Sequence, residues 1–166
     1  MHILTLVFLL NYFIAAPSNK DVHKAIFEVK HRKLSEKIDV SGHWEGTITR
    51  DEGGGKRTVY VMDLDLNQKG KELNGISYLH FDNGTKKYNA KMEVKGKVNG
   101  SYVKYLETKL LNADSIPNAD WCIKKADLIH RIQNSSPTLE GIWEGVTSFG
   151  ECVPGRIFLQ KKLPKA

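Results

Sequence analysis

Apolar and polar residues alternate along the chain from Val40 onward, in short stretches separated by glycine-containing breaks. The stretches VYVMDLDLNQ (59–68) and KYNAKMEVKGKV (87–98) place apolar residues at every second position. A period of two predicts β-strands with one buried face. The breaks QKGK, DNGT and VNGS predict tight hairpin turns, because glycine and asparagine tolerate the positive φ angles of such turns.

The turns can be tested against the buried faces, because residues paired across a hairpin lie on the same face of the sheet. Two-residue turns at 69–70 and 83–84 would pair buried positions of one strand with buried positions of the next. The expected pairs are Leu66 with Leu73, Leu64 with Gly75, Leu79 with Tyr88, and Leu73 with Val94. This agreement predicts three neighbouring antiparallel strands.

A third turn at 99–100 would pair Met92 with Glu107, which points a carboxylate into the interior. Either a β-bulge shifts the register before this position, or the carboxylate lies inside. A buried carboxylate needs a hydrogen-bonding or charged partner, and Glu107 would then be a candidate for ligand contact.

Four more stretches raise the number of predicted strands to eight: GHWEGTITR, ADWCIKKADLIHRI, LEGIWEGVT and GRIFLQKK. Short connections favour an all-β fold, an eight-stranded antiparallel up-and-down β-barrel over residues 39–166. Because strand direction alternates, the tight turns lie at one end of the barrel. The longer loops 51–56, 112–120 and 148–155 lie at the other, open end.

The motif Gly-x-Trp-Glu-Gly occurs twice, at 42–46 and 141–145. We expect each copy to open a strand at the tight-turn end, so that Trp44 and Trp143 plug that end. Alternation places Glu45 and Glu144 on the outer face.

The N-terminal residues 3–16 are almost all apolar, which is too short a run to span a bilayer comfortably as a helix. The run is typical of a secretory signal peptide at residues 1–16, the alternative being a buried or uncleaved helix. Residues 17–38 have helical spacing and predict a short amphipathic helix or leader. The expected location is therefore secreted or periplasmic, with no transmembrane span.

Two cysteines, Cys122 and Cys152, both fall near the open end of the predicted barrel. In an exported chain an even pair indicates one disulfide, whereas in a cytosolic chain they would be two buried thiols.

The formal net charge of +6 comes largely from lysines on the solvated faces of strands. Lysine predominates over arginine, and no aromatic–arginine groove is evident, so nucleic-acid binding is not expected. The six histidines lack metal-ligand spacing, and no catalytic triad or phosphate loop is present. We therefore expect no metal, no cofactor and no catalytic residues.

The start of the first strand, Gly42-x-Trp44, resembles that of the calycins, and GKELNGISY (70–78) is similar to the second hairpin of the avidins. The resemblance implies an eight-stranded barrel that binds a small ligand at its open mouth. By the lipocalin pattern, Arg156 would pack on Trp44. Glu45-Gly46-Thr47 stands where avidins carry biotin-binding residues, so biotin binding is not expected. The chain also resembles the bacterial periplasmic metalloprotease inhibitors, which are small eight-stranded barrels with one disulfide. In that case residues 17–38 would correspond to the N-terminal segment that reaches the enzyme.

The expected function is that of a non-catalytic extracytoplasmic barrel that holds a small apolar or amphipathic ligand at its open end. The candidate lining residues are Tyr60, Ser77, Tyr88, Tyr105 and Glu107. The alternative for these residues is that they only fill the barrel. The alternative function is a protein-binding module, such as a protease inhibitor or envelope component, acting through loops 51–56, 112–120 and 148–155.

Overall fold

The structure, a computed structural model, describes residues 38–117 and 119–162. The predicted signal peptide and nearly all of the predicted leader lie outside these residues. The strands are β1 Gly42–Gly53, β2 Lys56–Lys69, β3 Glu72–Asp82, β4 Lys87–Asn99, β5 Tyr102–Ala113, β6 Ile123–Gln133, β7 Ser136–Thr147, β8 Gly150–Glu151 and β9 Gly155–Lys161. Within the described ranges no helix is long and apolar enough to cross a bilayer.

Eight long antiparallel strands form a closed barrel, as the alternation predicted. Each strand from β1 to β7 pairs with the next, and β9 pairs with both β7 and β1 and so closes the ring. The two-residue strand β8 only extends the end of β7. Closure provides a partner for both edges of the sheet, which would otherwise be open to aggregation.

The predicted hairpin partners were wrong by two residues, although the predicted faces are correct. Leu66 pairs with Gly75 and Leu79 pairs with Ala90. The cause lies in the turns. The β2–β3 turn consists of Gly70, with a φ of 66°, and Lys71, so it lies one residue later than expected. The β3–β4 turn has four residues, 83–86, where two were expected. A shift of two residues preserves the alternation of faces, so the buried sets still coincide.

The β4–β5 hairpin contains both a β-bulge and an inward-pointing Glu107, which were expected as alternatives. Glu107 pairs with Val94 and points inward, with only 1% of its surface exposed. The ladder then shifts register just beyond this pair, between Glu93 and Val94 and again between Lys91 and Met92. The bulges therefore follow the buried carboxylate instead of removing it from the interior.

The barrel interior is packed with large side chains over most of its length. An eight-stranded barrel encloses just enough space for its own side chains. The apolar side chains with no exposed surface are Val40, Trp44, Met62, Leu64, Met92, Val94, Leu139 and Leu159.

The first copy of the repeated tryptophan motif lies at the tight-turn end, as expected. Trp44 is fully buried, and its Nε1 donates a hydrogen bond to the Val40 carbonyl at 2.9 Å. The cation over its ring is Lys161, with Nζ 5.7 Å from the ring centroid. Arg156 is exposed on the outer face, so its expected packing on Trp44 was wrong.

The second copy does not open a strand, because β7 begins at Ser136, five residues before Gly141. Trp143 consequently lies towards the open end, where its Nε1 donates to the Thr49 carbonyl at 2.7 Å. The expected placement of Trp143 at the tight-turn end was wrong. The end of a strand that a motif occupies depends on where the strand begins, which the motif does not determine.

Glycines within the two motifs let neighbouring strands approach closely. A Cβ on Gly46 would lie 2.1 Å from the Phe158 carbonyl oxygen, and one on Gly141 would lie 1.9 Å from that of Asp127. Real side chains do not tolerate such contacts, so these positions require glycine where the strands bend around a narrow barrel.

Cys122 and Cys152 form a disulfide with a Cα–Cα distance of 6.4 Å. It joins the residue before β6 to the segment between β8 and β9, at the open end. The bridge is typical of proteins in an oxidising compartment.

Removing the disulfide should destabilise the barrel without changing its topology. A chain in which both Cys122 and Cys152 are replaced by Ser loses the constraint on a loop of 30 residues. We expect the free energy of unfolding to fall by about 3–4 kcal/mol in the chain-entropy model. Urea denaturation measures this change, and an unchanged midpoint would contradict it.

Gly141→Ala should destabilise the barrel by about 1–3 kcal/mol, because the new methyl group must displace the backbone of β6. The matched control is Glu144→Ala in the same motif. Glu144 is exposed and forms a 2.8 Å surface ion pair with Lys125, so its loss should cost no more than about 1 kcal/mol. Equal thermal stability of the two variants would refute the close-approach explanation.

Candidate binding site at the open end

A cavity of about 240 Å³ opens at the end of the barrel opposite the tight turns. Its walls come from β1, β2, β3, β6, β7 and the segment between β5 and β6. The residues around it are Ile48, Arg50, Tyr60, Leu79, Phe81, Ile116, Ala119, Asp120, Trp121, Cys122, Lys124 and Trp143. Most of these side chains are apolar or aromatic, which is typical of small-molecule sites.

The aromatic walls of this cavity are held in place by contacts with their surroundings. The Tyr60 and Phe81 rings lie 5.0 Å apart between centroids, at an angle of 47°. Trp121 donates its Nε1–H to the Asp114 carbonyl at 2.9 Å, just as Trp143 donates to Thr49. Because both indole N–H groups are already hydrogen-bonded, the two tryptophans present apolar ring surface to the cavity.

The floor of the cavity includes Lys124, whose side chain is only 3% exposed. Its Nζ lies 2.8 Å from Glu107 Oε2, forming a buried ion pair. The same Nζ donates a hydrogen bond to the Cys122 carbonyl at 2.8 Å. A buried ammonium group is costly without partners, and these two contacts offset part of that cost.

Glu107 accepts three further hydrogen bonds in the barrel interior. Ser77 Oγ and the Tyr105 hydroxyl donate to Oε1 at 2.8 and 2.5 Å. The backbone N–H of Lys124 donates to Oε2 at 2.9 Å. The carboxylate is therefore the centre of a polar network that joins β3, β5 and β6.

The position of this network follows from an interruption in the barrel wall. The β5–β6 ladder is short and pairs only Tyr102–Leu106 with Lys125–Ile129. The next residue on each strand is Glu107 on β5 and Lys124 on β6. The Glu107 carboxylate accepts the Lys124 N–H in place of a strand carbonyl, and a buried N–H without an acceptor would be destabilising.

Burial changes the proton affinities of two groups in this network. Desolvation lowers the pKa of Lys124 below its usual range, although the neighbouring Glu107 carboxylate opposes the change. Desolvation, followed by the charge of Glu107, raises the pKa of Tyr105 well above its usual value. The Tyr105 phenol therefore stays protonated and donates to Glu107 at neutral pH.

Four of the five residues expected to line a ligand site are divided between two levels of the barrel, and the fifth, Tyr88, packs behind the cavity wall. Tyr60 contributes to the cavity wall, whereas Ser77, Tyr105 and Glu107 form the network beneath the cavity. Tyr88 is buried and stacks on Phe81, with ring centroids 6.2 Å apart.

Lys124 is one candidate site residue that the sequence analysis missed. Alternation along the sixth strand does reveal it, because Lys124 shares the inward face with Ala126 and Leu128. Trp121 and Phe81 were also missed. Trp121 belongs to an irregular segment, to which periodicity does not apply.

A cluster on the outer face, formed by His43, Glu45 and Asp63, has donor atoms within 4.8 Å of one another and could approach a metal ion. Their existing contacts already explain the arrangement. His43 lies 2.7 Å from Asp65, which raises the pKa of the imidazole, and Glu45 pairs with Lys162 at 2.6 Å. We therefore assign this cluster to surface hydrogen bonding.

No protein-family model matches the chain, and no curated protein matches it either. The fold itself, a closed eight-stranded antiparallel barrel, is consistent with a calycin-like fold. The disulfide and the cavity at the open end are compatible with an extracytoplasmic binding protein.

Removing only the cation of the buried ion pair should lower the free energy of unfolding far more than replacing both partners by neutral side chains. Lys124→Met leaves the Glu107 charge buried without its counter-ion, and we expect a loss of about 3–5 kcal/mol in the free energy of unfolding. Adding Glu107→Gln should recover at least half of that loss. The amide oxygen can accept the Lys124-position N–H, while its NH₂ group donates to the hydroxyls of Ser77 and Tyr105. Chemical denaturation of wild type, both single variants and the double variant measures the coupling; additive effects would refute it.

Proposed function

We propose that the protein is a non-catalytic binding protein, secreted or periplasmic, that holds a small apolar or amphipathic molecule at the open end of its barrel. The observation that carries the proposal is the aromatic cavity above the Lys124–Glu107 pair. The lipocalin and avidin resemblance of the Gly-x-Trp motif supports the same function by analogy.

The size of the cavity limits the ligand. Its volume of about 240 Å³ is below the range of roughly 300–1,000 Å³ that is usual for drug-sized ligands. The apolar core beneath it is packed, so a long acyl chain would not fit within the barrel. A compact molecule with one or two rings matches this space.

A non-catalytic function is supported by the ionisable groups at the cavity. Arg50 is hydrogen-bonded to Glu52, and Ser148 donates to Asp120 at 2.5 Å. Lys124 is bound to Glu107. A nucleophilic lysine must be an uncharged amine, whereas Lys124 is held as an ammonium ion against Glu107. We therefore propose binding and not catalysis.

The location is proposed on the disulfide and the N-terminal sequence. A disulfide persists in an oxidising compartment, and the apolar run at residues 3–16 is typical of an export signal.

The alternative is a protein-binding module, and one observation favours it. Phe149 at the turn after β7 is 84% exposed, with Val146 and Val153 exposed nearby. Exposed apolar side chains grouped at one end are typical of protein interaction surfaces. Phe149→Asp should abolish binding of such a partner and leave small-molecule binding in the cavity intact.

Filling the cavity mouth should abolish ligand binding. Ala119→Trp places a large ring at the mouth from an exposed loop position, whereas Ser115→Trp adds the same ring to the same segment away from the cavity walls. Native mass spectrometry of each protein, purified gently from its exporting host, is compared with a denatured control. We expect an extra mass on wild type and on the Ser115 variant only. The absence of any added mass on all three proteins would refute the proposal.

A further inference from the structure

We propose that the ligand is a neutral, flat apolar molecule bearing a carbonyl oxygen, such as a ketone, ester, lactone or amide, and that the Lys124 ammonium donates a hydrogen bond to that oxygen. The inference rests on the proposed function and specifies its ligand class. Two features of the buried network support it: the Lys124 ammonium has one N–H without a strong acceptor, and the charges of Lys124 and Glu107 already balance.

The Glu107 carboxylate has no free capacity for a ligand. It receives four donors, two on each oxygen: the hydroxyls of Ser77 and Tyr105 on Oε1, and the N–H and ammonium of Lys124 on Oε2. An ionised carboxylate offers about four acceptor positions, so all of them are occupied.

The Lys124 ammonium, in contrast, has three N–H donors and only two strong acceptors. These are Glu107 Oε2 and the Cys122 carbonyl, each 2.8 Å away. The third neighbour is the thioether of Met92, with Sδ 4.0 Å from Nζ, and thioether sulfur is a weak acceptor. One strong donor of a buried cation is therefore left poorly satisfied at the cavity floor.

The charge balance of the site favours a neutral acceptor over an anion. Lys124 and Glu107 already neutralise each other, so a bound carboxylate would leave one uncompensated negative charge in a water-poor space. Among the described residues, the other charged groups that line the cavity are Arg50, which is engaged by Glu52, and Asp120, which accepts a hydrogen bond from Ser148. A carbonyl oxygen satisfies the third N–H without adding charge, and a cationic ligand would face the ammonium directly.

The walls specify the remainder of the ligand. Above Lys124 stand the rings of Tyr60, Phe81, Trp121 and Trp143, and the polar atoms of both indoles are occupied elsewhere. Flat apolar groups make the best contacts with such aromatic faces. The carbonyl would then point down towards Lys124, with the ring system between the aromatic side chains.

Three small probes of similar shape test the ligand class: acetophenone, a neutral ketone; ethylbenzene, which lacks the oxygen; and benzoate, an anion. The indole N–H signals of ¹⁵N-labelled protein provide the measurement. Trp121 and Trp143 line the cavity, while Trp44 lies at the opposite end and is the internal control. The matched variant combines Lys124→Met with Glu107→Gln, which removes the ammonium without leaving a buried charge.

We expect acetophenone to shift the Trp121 and Trp143 signals and to bind about tenfold more tightly than ethylbenzene, as for one charge-assisted hydrogen bond. Benzoate should bind more weakly than acetophenone, and the double variant should bind the ketone and the hydrocarbon equally. Equal affinities in wild type would overturn the role of Lys124, and tightest binding of benzoate would overturn the neutral class. In both cases the proposed function would stand, whereas no shift of either signal with any probe would refute the function and this inference together.

Discussion

Closure of the sheet through β9 is the constraint on which the rest of the structure depends. Because β9 pairs with both β1 and β7, eight strands must curve around a narrow interior. Large side chains fill this narrow interior, and neighbouring strands approach each other most closely where a Cβ is missing, as at Gly46 and Gly141. The repeated Gly-x-Trp-Glu-Gly motif thus combines a bulky core residue with glycines that let the neighbouring strands approach it.

The buried ion pair lies where the ladder between β5 and β6 ends. Past Leu106, β5 no longer pairs with β6, and the first backbone N–H left without a strand partner belongs to Lys124. A carboxylate side chain accepts it, and the resulting charge requires a cation and further donors. Ser77, Tyr105 and the Lys124 ammonium supply them. The end of the β5–β6 ladder therefore accounts for this polar network within a mostly apolar interior.

Alternation predicted the strands and their buried faces, and the turn residues and short connections predicted the barrel. The predicted faces are correct because a period of two survives any even shift in register. The same insensitivity explains the wrong hairpin partners. Placing Gly70 second instead of first in its turn moves every β2–β3 pair by two residues, and a four-residue turn at 83–86 does the same to the β3–β4 pairs; neither changes a face. Trp143 was placed at the wrong end because β7 begins several residues before its motif. The inward position of Glu107 could be deduced, and alternation along β6 also places Lys124 on the inner face. Their pairing could not be deduced, because it depends on the register between β5 and β6, which are joined by a long irregular segment and not by a tight turn.

The disulfide belongs to the site as well as to the scaffold. Cys122 precedes β6 where the wall is interrupted, and its carbonyl accepts one of the two strong hydrogen bonds of the Lys124 ammonium. The chain around Cys122 does not pair with β5. The disulfide to Cys152 therefore holds it in place where a strand ladder would otherwise do so. Because the cavity walls include Cys122 and Trp121, the same bond fixes the position of the aromatic mouth above the ammonium. The disulfide therefore has two effects: it stabilises the barrel, and it holds the cavity walls at the open end in position.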